Sequence, residues 1–217
     1  MMTDKKVWDL GIRIFHWLLV LGITAAWFTI EYRWMQAHAV VGYGISVLLV
    51  FRLIWGFLGS TTARFTHFVC SPIAAFCYLK ASLQLKAAHY AGHNPAGGYM
   101  VVFMLCVLLV QVLSGFFANN DLGFSGPFAD WVNKAQSDQL TQWHGLNFYL
   151  ILAAIWLHLV AVFFYQLVKK EPLIQAMMLG TKPGKYVSDE QHLKFVSNRV
   201  AIVIWLFSVA VILVFVL

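Results

Sequence analysis

Long apolar runs alternate with short polar connections along this chain, and five of the runs reach the roughly 20 residues that a helix needs to cross a hydrocarbon core. They cover residues 12–30, 38–58, 98–118, 144–167 and 199–217. None of them breaks into the short alternating segments of a membrane β-barrel, so the pattern predicts an all-α integral membrane protein built as one helical bundle. Only the turn EYRWMQ separates the first two runs, which makes them antiparallel neighbours. Residues 60–97 form a long connection with no Asp or Glu, and within it residues 73–86, IAAFCYLKASLQLK, predict a basic amphipathic helix lying on the membrane. The third run carries Gln111 and Ser114, residue types that serve as interhelical hydrogen-bond partners. After it, ANNDLGFSGPFADWVNKAQSDQ reads as a loop that docks a partner, covers what lies beneath it, or simply connects. A basic, Pro- and Gly-punctuated segment precedes the uniformly apolar fifth run, which shows no chemistry of its own.

Composition closes off the soluble alternatives. Of 217 residues 61% are hydrophobic and 11% charged, with a mean hydropathy of +0.74, more apolar than a water-soluble domain of this size needs. Charge then sets orientation. Lys5, Lys6, Arg13, Arg52, Arg64, Lys80, Lys86, Lys169, Lys170, Lys182, Lys185, Lys194 and Arg199 fall at one side of the predicted membrane, and Arg33 and Lys134 at the other. By the positive-inside rule the first side is cytoplasmic, which places the N-terminus in the cytoplasm and the C-terminus on the opposite side of the membrane. The net charge of +6 is therefore a matter of topology and anionic lipid, and it supports no nucleic-acid partner. Cys70, Cys77 and Cys106 form neither a C-x-x-C pair nor a haem-attachment motif, and the first run lacks a cleavage signature and is read as retained.

The candidate chemistry lies in histidines. His144 and His158 share the fourth run fourteen residues apart, which is about four helical turns on one face and roughly 21 Å of rise. His16 lies near the inner end of the first run and His38 in the first turn of the second, so antiparallel packing sets His38 at the depth of His144 and His16 at the depth of His158. Two imidazoles at each of two depths serve metals, protons or haem. A closed zinc site wants four ligands, and a proton relay wants intramembrane carboxylates, which the runs lack. Six-coordinate haem iron takes two axial imidazoles, which fits two and two. Gly42, Gly44, Gly56 and Gly59 on the second run admit either a neighbouring helix or a flat macrocycle, and Arg52 reaches either lipid phosphate or a buried anion such as a haem propionate. His67, His89 and His93 read as structural or surface histidines. The spacing of His89 and His93 is that of a metal pair, but no carboxylate or cysteine near them in sequence completes a site.

VWDLGIRIFHW with His16, AHAVVGYGISVLLVFRLIWGFLG with His38, ARFTHFV, YAGHNPAGGYM, WHGLNFYLILAAIWLHLVAV and LIQAMMLGTK resemble, in that order, the bacterial cytochrome b561 family, which includes the b-type cytochrome subunits of nickel-iron hydrogenases. The resemblance spans about residues 7 to 182 and implies a four-helix transmembrane bundle binding two haem b groups, with a fifth C-terminal transmembrane helix beyond it. Carried over by motif, His16 and His158 ligate the inner haem and His38 and His144 the outer one; Arg13 and Arg52, by their place near the inner site, are read as further cofactor contacts. The implied division is a di-haem domain at 1–182 and a linker with the C-terminal helix at 183–217. The implied function is electron transfer across the inner membrane between the quinone pool and a periplasmic partner, a hydrogenase or a c-type cytochrome. That makes the chain a subunit of an oxidoreductase complex rather than a stand-alone enzyme. The alternative is superoxide oxidation coupled to quinone reduction, which asks for a cationic outer surface that this sequence does not offer.

Overall fold

In the computed structural model, residues 4–187 and 192–216 are described. The order is strand β1 (Asp4–Lys6), then α1 (Leu10–Glu31), α2 (Met35–Leu58), α3 (Phe65–Phe68), α4 (Pro72–Leu83) and α5 (Pro95–Phe116). There follow α6 (Lys134–Phe163), continued by a π-helical turn Phe164–Val168, then α7 (Leu173–Leu179), strand β2 (Thr181–Pro183) and α8 (Asn198–Val216). Among the described residues five helices, α1, α2, α5, α6 with its π turn, and α8, are long and apolar enough to cross a membrane, as the five apolar runs require.

Helix starts follow local capping chemistry. Asp9 Oδ1 accepts the Ile12 N–H at 2.8 Å and opens α1, Ser71 Oγ accepts from Ala74 N at 3.2 Å ahead of Pro72 in α4, and Asn94 Oδ1 accepts from Gly97 N at 2.8 Å in α5. Helix α6 corrects the sequence reading. It begins at Lys134 rather than near residue 144, so the last six residues of the supposed outer loop are helical. The reason is a reciprocal capping box: Gln136 N donates to Asn133 Oδ1 at 2.9 Å and Asn133 N donates to Gln136 Oε1 at 3.1 Å. The rest of that loop is tied down, with Ser137 Oγ donating to the Phe117 carbonyl at 2.7 Å and Asn119 Nδ2 donating to Ser137 Oγ at 2.7 Å.

The amphipathic helix of the long connection stops at Leu83, short of residue 86, because Leu85 takes a left-handed φ of 59° that helix propagation does not tolerate. It buries Tyr78 and Ser82 and leaves Ile73, Phe76, Leu79 and Leu83 exposed, an apolar stripe on the opposite side. Burial and a hydrogen bond to Tyr165 push the Tyr78 phenol well above its ordinary range.

Two compact units emerge, and each of the five long helices contributes to both. The first gathers Met1–Ile14, Arg52–Phe103 and Ile155–Ile202, the second Phe15–Phe51, Met104–Ala154 and Val203–Leu217. In the first, β1 pairs antiparallel with β2, and Gly180, at φ 87°, ends α7 and turns its carbonyl to Val7 N at 2.8 Å and Trp8 N at 3.1 Å. A buried ion pair, Lys182 Nζ to Glu171 Oε1 at 2.7 Å, fixes the same region, while His89 Nδ1 stands 3.2 Å from Glu171 Oε2. In the second unit Ile45, Leu48, Leu49, Leu105, Leu108 and Ile151 are buried, and Phe51 stacks on Trp205 at 4.1 Å between ring centres. Helix α8 buries Ala201, Ile204, Ser208 and Ile212, spaced by threes and fours as one stripe, and leaves Val203, Leu206 and Val214 exposed. Exposed large apolar side chains of this kind on all five long helices are what a lipid solvent accommodates.

Candidate functional site

Within the second unit, His38 on α2 and His144 on α6 face one another, with ring centres 6.1 Å apart and planes at 83°. His38 Nδ1 lies 3.0 Å from the Ala26 carbonyl and 3.3 Å from Thr29 Oγ1, whose own hydroxyl hydrogen goes to the carbonyls of Ala25 and Ala26. His144 Nδ1 lies 2.8 Å from the Gln111 carbonyl on α5. A carbonyl only accepts, so both rings carry their proton on Nδ1 and have their lone pair on Nε2; at His144 that lone pair meets the Gln111 side-chain amide nitrogen at 3.1 Å, a contact that a metal ligand would have to displace. Two metal–imidazole bonds of about 2 Å, with about 1 Å more from each bonding nitrogen to its ring centre, require centres about 6 Å apart. The observed separation meets that requirement, and the carbonyl partners are the outer contacts that orient ligating imidazoles.

Glycines shape the surroundings. A Cβ at Gly115 would stand 2.8 Å from His144 Cε1 and 3.0 Å from its Nδ1, so the imidazole sits where it does only because residue 115 has no side chain. On α2 the two readings of the glycines divide. A Cβ at Gly56 would overlap the Phe65 ring and one at Gly59 would strike Trp55, which is helix and loop packing, whereas Gly42 and Gly44 meet nothing within 4 Å. Gly42 lies one turn beyond His38, on the same face.

His16 is half-buried in the second unit, its ring edge-on to Trp17 at 5.0 Å, and His158 is half-buried in the first. His158 continues the α6 stripe of His144 and Ile151 at intervals of seven residues, and Ile151 on that stripe is 3% exposed. The first unit also holds both predicted arginines. Arg52 is 2% exposed, its guanidinium 4.8 Å from the Phe65 ring centre and 5.9 Å from that of Phe68, and neither Nη meets an acceptor. Arg13 donates from Nη2 to the Met178 carbonyl and keeps a buried Nε without an acceptor. A buried guanidinium is costly until an anion joins it; the charge of Asp9 acts on Arg52 without a hydrogen bond to its Nη atoms, so these nitrogens leave room for a further carboxylate.

The other histidines separate. His89 turns to Glu171, a carboxylate 82 residues away that sequence spacing did not reveal, while His93 lies between the rings of Trp8 at 4.8 Å and Phe68 at 4.9 Å. Partial burial and the neighbouring Arg64 hold His67 below the ordinary histidine range. Among the described residues no group of three or more His, Cys, Asp or Glu is arranged to hold a metal ion. Residues that sequence reasoning left out of the site are Thr29, Gly115 and Asn147. Their signals are spacing alone: Thr29 precedes His38 across a short turn, and Asn147 follows His144 by one helical turn.

Five helices long and apolar enough to cross a membrane, with two imidazoles facing one another in the second unit, define a helical membrane protein with a candidate cofactor site. The family model for prokaryotic cytochrome b561 matches residues 7–180, and the chain belongs to that family. It is similar to a probable Ni/Fe-hydrogenase B-type cytochrome subunit of Cupriavidus necator, 22% identical over 213 residues, covering 82% of this chain and 87% of the relative. A protein of the same description from Bradyrhizobium diazoefficiens is 22% identical over 165 residues, 67% of this chain and 65% of that one. The chain is accordingly a multi-pass membrane b-type cytochrome of electron transfer, and b-type haem is the cofactor its family implies.

Proposed function

We propose that this cytochrome holds two haem b groups, one between His38 and His144 and one between His16 and His158, and passes electrons across the bacterial inner membrane between the quinone pool and a periplasmic redox partner. The observation that carries the reading is the pair of facing imidazoles, 6.1 Å between centres, each with Nδ1 against a carbonyl. Bound between two histidines, haem iron changes by one electron without opening a coordination position for small molecules. The chain supplies the rest. Carbonyls of Ala26 and Gln111 orient the two rings, glycines at 42 and 115 leave room, and Arg13 and Arg52 offer unpaired nitrogens to carboxylates at the second site.

Residues 1–182 form the di-haem domain and 183–217 a linker and membrane helix, a division that the 7–180 family match supports. The charge bias along the chain supports a cytoplasmic N-terminus and a periplasmic C-terminus. The apolar stripe of α4, flanked by Lys80 and Lys86, lies on anionic lipid of the cytoplasmic leaflet. The relatives' description as hydrogenase cytochrome subunits supports a hydrogenase as the periplasmic partner, with a c-type cytochrome as the other candidate. Superoxide oxidation fits less well. Of the two cations at the outer ends, Lys134 is engaged by Asp121 at 2.7 Å and by Asp138, which leaves Arg33.

The test is spectroscopic. Purified protein should show b-type reduced-minus-oxidised bands with two haems per chain, and His144→Ala and His158→Ala should each lose one. A wild-type content near one haem, or full content in His144→Ala, refutes the assignment.

A further inference from the structure

The connection between α5 and α6 lies directly on the end of α5. Phe128 N donates to the Phe116 carbonyl at 2.9 Å, and Gly126 N to the Ala118 carbonyl at 2.8 Å. A Cβ at Gly126 would fall 2.5 Å from the Phe116 oxygen and 2.6 Å from that of Gly115, and Gly115 is the residue against which the His144 ring rests. Only the Gly115–Phe116 backbone therefore separates this loop from that imidazole. From the same loop Phe128 stacks on Trp131 at 4.5 Å between ring centres, and Trp131 is 72% exposed. A large aromatic side chain supported from below and bare above is the kind that anchors a protein interface.

Lipid does not account for that exposure. Trp143 stands at the edge of the apolar run, and α6 continues outward from it to Lys134, nine residues or about 14 Å of rise. The headgroup layer is about 5–8 Å deep on each side, so the junction of loop and helix beside Trp131 stands clear of it. The surrounding charge is acidic although the whole chain is +6. Exposed Glu31, Asp121, Asp130 and Asp138 stand at the outer ends of the second unit against exposed Arg33 and Lys134, and Lys134 is held by Asp121 and Asp138. Asp130 adjoins Trp131.

We propose that Trp131, with the acidic residues around it, is the docking surface for a redox protein whose contact patch is rich in lysine or arginine, seated over the His38/His144 site. The inference rests on the proposed haem ligation and specifies the charge of the partner that exchanges electrons there. The step is transfer of one electron between a ferrous and a ferric haem, with no bond broken and no proton moved. Opposite charge speeds encounter, and the buried face of Trp131 fixes position.

Stopped-flow oxidation of the reduced whole protein in detergent, after removal of excess dithionite, tests this. The probes are a lysine-rich soluble c-type cytochrome in its ferric form and the same cytochrome acetylated on its lysines, which keeps the haem and removes the charge. At low ionic strength the native probe should react about tenfold faster than the acetylated one, and the difference should shrink with added salt. Asp130→Lys should slow the native probe about threefold to tenfold and narrow the gap between the two. Trp131→Ala should slow both probes about tenfold. Equal rates for the two probes, or a native-probe rate unchanged by Asp130→Lys, overturns the inference, and so does a rate unchanged by Trp131→Ala, the result expected of an indole anchored in lipid. If the wild-type protein has no haem component that His144→Ala lacks, it is the haem ligation that fails instead.

Discussion

Replacing Gly115 by alanine isolates the geometry of the His38/His144 site from general stability. The added methyl would stand 2.8 Å from His144 Cε1 and 3.0 Å from Nδ1, where ordinary contact begins near 3.4 Å, so the ring must retreat by about 0.6 Å. It cannot do so freely, because the Nδ1 hydrogen bond to the Gln111 carbonyl is already 2.8 Å long and lies on the same side. Overpacking of this kind costs about 1–3 kcal/mol, and a weakened hydrogen bond about 1 kcal/mol more. Alanine meanwhile improves helix propensity by about 1 kcal/mol over glycine, which keeps α5 itself stable. The strain therefore falls on the imidazole, and each 1.4 kcal/mol of it lowers affinity for a group held by His144 about tenfold. In haem-limited expression, Gly115→Ala should give a folded protein, monodisperse in detergent, with one haem in place of two and the spectrum of His144→Ala. Two haems at wild-type affinity would refute the claim that His144 ligates from the position described.

Three further outcomes follow from other parts of the molecule. Gly42→Ala meets no protein atom within 4 Å, so unimpaired folding with a lowered haem content at the His38/His144 site is expected if the space one turn from His38 belongs to a macrocycle; unchanged haem content would assign that space to lipid. Arg52→Met removes the charge that offsets buried Asp9 and the guanidinium that lies over Phe65, so the haem-free protein should lose thermal stability, and the His16/His158 haem should be held less tightly. A gain of stability without haem would mean that Arg52 is an uncompensated charge. Lys182→Met strands Glu171 in a site where the two side chains are 1% and 5% exposed, and should destabilise the first unit by about 3–5 kcal/mol in detergent melts, with Glu171→Gln added to it recovering most of the loss.

What could be read from the sequence and what could not divide along a physical line. The five spans were legible because apolar length is a property of each segment alone, and the facing of His38 and His144 followed from helical rise and antiparallel order. The start of α6 was misplaced by about ten residues because the hydrophobic window weighs polar residues as loop, yet Asn133 and Gln136 at a spacing of three carry the capping signal that extends the helix. The contacts that hold the imidazoles were less accessible. Ala26 and Gln111 act through main-chain carbonyls, which every residue possesses, so no residue type marks them. Glu171 and His89 meet across 82 positions, and nothing in either local context announces the other.

Gln111 shows the limit of that distinction most clearly. As a polar residue in an apolar run it is expected to bond across helices, and it does, but the choice of partner decides its meaning. Asn147 lies three residues after His144, on the turn that faces α5, so any residue of α5 that bonds Asn147 must also lie beside the His144 ring. A glutamine there is drawn to both at once. Its side chain reaches both contacts and its own carbonyl accepts from His144 Nδ1, so a single position on a helix without histidines touches both polar residues of the neighbouring turn.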